Sequence, residues 1–131
     1  MRIFKTALIF AFGIWMISAC GTKLTEAEYY TAAKEAYTNA KFDEALKNFT
    51  KLVDYYPDGK HAAEACFMLG FINANDLKNY DEARKHYNAF IEKFPDNDLT
   101  DDAQFELKTM GKDINELNIF PVNAAADSSK E

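Results

Sequence analysis

Apolar positions recur at helical spacing along most of the chain, broken by proline and by short polar turns. The clearest run is Ala45, Leu46, Phe49, Leu52, Val53 and Tyr56, which predicts a helix opening at Phe42 or Asp43 and stopped by Pro57. A second run, Ala83, Tyr87, Phe90, Ile91 and Phe94 before Pro95, predicts a helix over Tyr80–Lys93. Ahead of both, Thr25-Glu26-Ala27-Glu28 reads as a capping box, with a helix running to about Asn39. Between them, about His61–Asn75, Ala62, Ala63, Ala65, Cys66, Phe67, Met68, Leu69, Phe71 and Ile72 are apolar almost all round, as in a helix packed on several sides. A fifth helix, about Thr100–Leu117, begins the same way but carries Glu106 and Lys108 where the third has Met68 and Gly70, the polar change expected of a terminal helix. These patterns predict an all-α chain of five helices.

The pattern is written twice. Asp43-Glu44-Ala45 returns 38 residues later as Asp81-Glu82-Ala83, Phe49 as Tyr87, and Pro57-Asp58 as Pro95-Asp96. Ala65, Phe67 and Leu69 return as Ala103, Phe105 and Leu107. Helical spacing inside such a period predicts a stacked array, in which no unit buries its apolar face alone. Ala45-x3-Phe49 and Ala83-x3-Tyr87 set a small residue and a ring one turn apart, and Leu69-Gly70 supplies a further small residue at a crossing point.

This small–ring–proline series resembles the tetratricopeptide repeat. Cys66 and Asn73 stand where that pattern has a large residue and a tyrosine, and Ala32-Ala33 replace Leu-Gly in the first unit. One residue of the excess over the family's period lies between Gly70 and Ala83, and three lie in the turn after each proline. Such long turns are similar to those of bacterial periplasmic tetratricopeptide proteins, among them the lipoprotein of the outer-membrane β-barrel assembly machine and the Tol-Pal coordinator, though this chain is shorter. The resemblance implies a short right-handed α-α superhelix of about two and a half tetratricopeptide-like repeats. The first helix of each pair would line the concave face: Tyr30, Lys34 and Tyr37, then Phe67, Phe71 and Asn75, then Phe105 and Thr109. Rings beside one lysine suit a peptide segment or a partner helix. The alternative is that the same rings fill a tightly wound core.

Met1–Ala19 changes the setting. A basic start at Arg2 and Lys5, an apolar run from Ala7 to Ile17 and small residues after it follow the plan of a secretory signal. The run falls short of the about 20 apolar residues that span a bilayer. Ile17-Ser18-Ala19-Cys20 resembles a lipobox, which implies diacylglycerol on Cys20, a new N-terminus there and N-acylation (palmitate chains). Two or more acyl chains anchor stably where a single one binds marginally. Gly21 in place of the aspartate that retains lipoproteins at the inner membrane implies the outer membrane, periplasmic face. The expected organisation is a signal peptide over 1–19, a lipidated tether over 20–24, the helical domain over 25–118, and a disordered tail over 119–131, whose composition from Pro121 on turns to Ala, Asp, Ser and Lys.

Charge narrows the partners. Loss of Arg2 and Lys5 from the 15 basic residues leaves 13 against 21 acidic, a net of −8, which disfavours nucleic acid and leaves the membrane to the acyl chains. The expected partners are other envelope proteins on the concave face, with an end helix as a site of self-association. No nucleophile, base and orienting group can be placed together, and nothing calls for a cofactor. The predicted function is therefore a scaffold and not an enzyme; a closed aromatic pocket for a glycan or small ligand is the alternative. His61 and His86 read as solvated, and Cys66 as a small core residue. Asp96, Asp98, Asp101 and Asp102 read as helix-start acids, since the glycine and closing glutamate of a calcium loop are missing.

Overall fold

The computed structural model describes residues 23–112. The signal segment, Cys20, residues 113–118 of the expected helical domain and the 119–131 tail lie outside the described residues. Five α-helices follow in order: α1 (Glu26–Thr38), α2 (Phe42–Tyr55), α3 (Ala62–Phe71), α4 (Tyr80–Lys93) and α5 (Thr100–Thr109). No helix among the described residues is long and apolar enough to cross a membrane.

Local chemistry sets each boundary. The Thr25 hydroxyl accepts from the Glu28 N–H at 3.3 Å while the Glu28 carboxylate accepts from the Thr25 N–H at 2.8 Å, closing the capping box that opens α1. Asn79 caps α4 through its side-chain oxygen. After each proline the chain makes two successive turns. Gly59 N–H donates to Tyr56 O and Ala62 N–H to Gly59 O, and 38 residues on, Asn97 N–H donates to Phe94 O and Thr100 N–H to Asn97 O. The long turn inferred from the spacing is thus one repeated backbone device.

The single extra residue between Gly70 and Ala83 is absorbed differently. α3 does not run on as an α-helix to Asn75. It passes into a π-turn over Ile72–Asp76, where Leu77 N–H reaches back five residues to Ile72 O. A π-turn takes in one residue without breaking the helix. In the first unit Lys41 N–H bonds Ala36 O, and in the second Asn79 N–H bonds Asn73 O, one residue further back. Buried Asn73 donates its side-chain amide to Leu69 O at 2.8 Å, satisfying a polar group inside the widened turn. The two units come back into step at Ala40 and Lys78, both left-handed at φ 55° and 56°.

The fifth helix also ends before the expected Leu117. Met110 leaves helical geometry at ψ 130°, and Gly111 takes φ +76°. A glycine in that conformation just past the last turn is a common helix stop.

Packing divides the interior into two clusters that share α3. Tyr29, Ala33, Ala36, Ala45, Phe49, Leu52, Ala65, Leu69 and Ile72 form the first, from α1, α2 and one side of α3. Ala74, Ala83, Tyr87, Phe90, Ala103 and Met110 form the second, with Cys66, Phe67 and Phe71 of α3 packed against it. This two-sided burial accounts for the all-round apolar character of α3. The fold is a short α-α superhelix, each unit leaning on the next.

Two substitutions test the α3–α4 contact. A Cβ at Gly70 would lie 2.7 Å from Cδ1 of the fully buried Tyr87 ring. Gly70→Ala should therefore destabilise the domain in urea unfolding, because such overpacking costs about 1–3 kcal/mol against the roughly 1 kcal/mol alanine gains in a helix. The buried Tyr87 hydroxyl has no hydrogen-bond partner among the described residues, and such a group costs about 1–3 kcal/mol, so Tyr87→Phe should stabilise. Burial, and after it the Glu106 carboxylate, push the Tyr87 phenol up. The folded state then holds that proton longer than the unfolded state, so its contribution is intact below a pH of about 10 and lost above it. Tyr87→Phe should lose less stability than the parent over that alkaline range.

Candidate interaction face

α1, α3 and α5 are the leading helices of successive units, and all eight concave-face residues expected from the sequence lie on them or, for Asn75, on the π-turn that extends α3. They differ in how free they are. The Tyr30 hydroxyl donates to both carboxylate oxygens of Glu64 at 2.8 Å, and Lys34 Nζ lies 3.1 Å from Glu64 Oε1. One face of the Tyr30 ring stacks on His61 with centroids 4.0 Å apart and planes at 16°. Lys34 Nζ stands 5.7 Å from the same ring. Burial, then the Glu64 hydrogen bond, raise the Tyr30 phenol, and the bond to Glu64 raises Lys34. His61 is therefore not a solvated side chain: it is half-buried against Tyr30, and its backbone N–H donates to Glu26 Oε1 at 2.6 Å. Glu26 and Glu64 together tie the start of α3 to α1.

Phe67 is drawn inward. Its ring lies 5.5 Å from Tyr87 and 5.8 Å from Phe90, so it fills the space between α3 and α4. Phe71, half-buried, stacks on Phe67 at 6.2 Å. Tyr37, also half-buried, leans on Phe42 at 6.0 Å, and its phenol is pushed up by burial and then by the Asp76 carboxylate. Asn75 donates to Phe71 O at 3.3 Å and Thr109 to Phe105 O at 2.9 Å, each closing a bond to its own helix and turning its remaining polar atoms outward. Phe105 occupies in α5 the position of Phe67 in α3 and is 51% exposed. The expected row thus separates into a locked pair, Tyr30 and Lys34, an anchoring ring, Phe67, and a less engaged set: Tyr37, Phe71, Asn75, Phe105 and Thr109.

Away from these rings, α2, α3 and α4 enclose a hollow of about 180 Å³ lined by Thr50, Val53, Asp54, Cys66, Leu69, His86 and Ala89. His86, expected in solvent, is half-buried there, and burial lowers its imidazole. Burial also pushes the Cys66 thiol up, away from the thiolate that a nucleophile requires. No Tyr or Phe lines this hollow, so it is not the aromatic pocket a sugar ring would stack in. Asp101 and Asp102 sit in the first turn of α5, where the helix dipole favours them. No group of three His, Cys, Asp or Glu among the described residues could hold a metal ion.

A family model described as Tetratricopeptide repeat matches residues 26–59 and 64–97, just over half of the chain. The chain belongs to the tetratricopeptide-repeat family. The first matched span takes in α1 and α2 and the second most of α3 and all of α4, starting 38 residues apart at 26 and 64, which leaves α5 as a half unit among the described residues. Comparisons with curated proteins and with solved structures found no match. Tetratricopeptide arrays are protein-interaction scaffolds, and an open face on the leading helices is the kind of surface they offer a partner.

Glu64 was not among the sequence-derived site residues, because an acid in a first turn reads as dipole compensation. Its partners lie 30 and 34 residues away on α1. Glu64→Ala should shift the Tyr30 phenol down toward its ordinary value, read by NMR titration of ring-labelled tyrosine. The fold should lose no more than about 1 kcal/mol, since ion pairs as exposed as Lys34–Glu64 contribute little.

Proposed function

We propose that the protein is a membrane-tethered scaffold of the bacterial envelope, held at the periplasmic face of the outer membrane by acyl chains on Cys20. It would present the face of α1, α3 and α5 to a peptide segment or helix of another envelope protein. The observation that carries the interaction half is the less engaged set on that face: half-buried Phe71 and Tyr37, and Phe105 at 51% exposure. Rings of this kind supply a large rigid contact area at small entropy cost. The tether half rests on the lipobox-like Ile17-Ser18-Ala19-Cys20 after a basic and then apolar start. The long-turn repeats make barrel assembly or the Tol-Pal system the first places to seek the partner.

The test is purification of the lipidated protein from gently solubilised envelopes, with mass spectrometry of its partners and of its mature N-terminus. The parent is compared with a Phe71→Ala, Phe105→Ala double variant. The expected result is a diacylglyceryl, N-acylated Cys20 and an envelope protein that the parent retains and the variant loses, with unchanged circular dichroism. A partner set indifferent to the two rings overturns the groove, and an unmodified Cys20 overturns the tether.

A further inference from the structure

Leu24 and Tyr55, two large side chains that the fold leaves exposed, lie at one corner, linked through Lys23 and Tyr56. Leu24 is 37% exposed and Tyr55 47%. The Tyr56 hydroxyl donates to Leu24 O at 2.8 Å, pinning the start of the domain to the end of α2. Lys23 Nζ lies 4.7 Å from the Tyr55 ring centroid and 4.5 Å from that of Tyr56. Tyr29 continues the group at 5.9 Å from Tyr55, with Lys51 Nζ 6.0 Å from its ring. Tyrosines, a leucine and lysines with long apolar stems are what the boundary between headgroups and hydrocarbon accommodates, each with an apolar body and a polar tip.

Only Gly21 and Thr22 separate Cys20 from Lys23. Three Cα steps reach roughly 11 Å at most, little more than the headgroup layer itself, about 5–8 Å per leaflet. We infer that the corner formed by Lys23, Leu24, Tyr55 and Tyr56 is the membrane-contacting face of the domain, seated among the phospholipid headgroups above the acylated Cys20. The inference rests on the lipid tether proposed above. It orients the array: the start of α1 and the end of α2 lie toward the bilayer, and α5 with Phe105 is at the far end of the stack. Lys23 and Lys51 stand over the rings of the corner, and the chain from Cys20 on carries 13 basic against 21 acidic residues, so the contact comes from the rings and Leu24 and not from attraction to anionic lipid.

The test uses the full-length lipidated protein in phosphatidylethanolamine–phosphatidylglycerol vesicles, with Cys66→Ser removing the other thiol. A nitroxide is attached at Tyr55→Cys in one sample and at Phe105→Cys in another. Position 55 should collide with lipid-soluble oxygen several-fold more often than position 105, and with a water-soluble nickel chelate several-fold less often, unchanged by added salt. Circular dichroism checks both folds, and mass spectrometry checks Cys20. With Cys20 acylated, equal accessibility at the two positions overturns this contact and leaves the tether standing. Shielding of position 55 from both reagents also overturns it, since a protein partner or second copy then covers the corner. An unacylated Cys20 overturns contact and tether together.

Discussion

No side-chain carbon can stand between Gly70 and the ring of Tyr87, and the second half of the molecule is arranged around that closeness. With hydrogen in place of a methyl, α3 and α4 approach until Tyr87 is fully buried. Phe67 then closes over the ring from one side, with Phe90 beside it. Ala33 takes the corresponding place in α1, in the same buried cluster as Phe49. A slightly larger residue serves there beside a slightly smaller ring. Small-against-ring pairing fixes the spacing inside each unit, and the spacing decides which side chains remain for the outer face.

The shared helix makes the two units interdependent. α3 gives Ala65, Leu69 and Ile72 to the first cluster and Cys66, Phe67 and Phe71 to the flank of the second. Helices of an array that bury both sides cannot be lost without opening two cores, so stability is a nearest-neighbour property here. The π-turn lies in this helix, where a break would be costly. It accommodates an extra residue while keeping Ile72, Asn73 and Ala74 buried, and the buried Asn73 amide completes the hydrogen bonding that the wider turn disturbs.

Much of this was legible in the sequence because repetition reports spacing directly. The 38-residue period, the helix over Tyr80–Lys93, the capping box at Thr25 and the place of the one-residue excess all follow from residue types at fixed intervals. A π-turn does not, since spacing counts residues and says nothing of which N–H reaches which carbonyl. The end of α5 was misread because apolar residues continue past Gly111, whereas the left-handed conformation of that glycine decides the matter. At the candidate site, positions were legible and engagement was not. Tyr30 and Phe67 occupy corresponding positions in their helices, yet one is held by an acid from the next unit and the other by rings of the helix that follows. The acid comes from the stacking of one unit on the next and the rings from the pairing of helices within a unit, and neither from the local pattern.

The same stacking shapes what a partner would meet. Contacts from Glu64 and His61 hold Tyr30 and Lys34 before any partner arrives, so that end of the face is rigid and contributes shape more than new hydrogen bonds. At the other end Phe105 stands where Phe67 stands in α3, but the partners that cover Phe67, Tyr87 and Phe90, belong to the trailing helix of its unit. α5 is a half unit among the described residues, and its ring is correspondingly open. An apolar residue that seats itself beside Phe105 would supply what Tyr87 and Phe90 supply one unit earlier. Among the described residues Phe105 is therefore the most open ring of this face, and the fold already meets the cost of holding its helix in place.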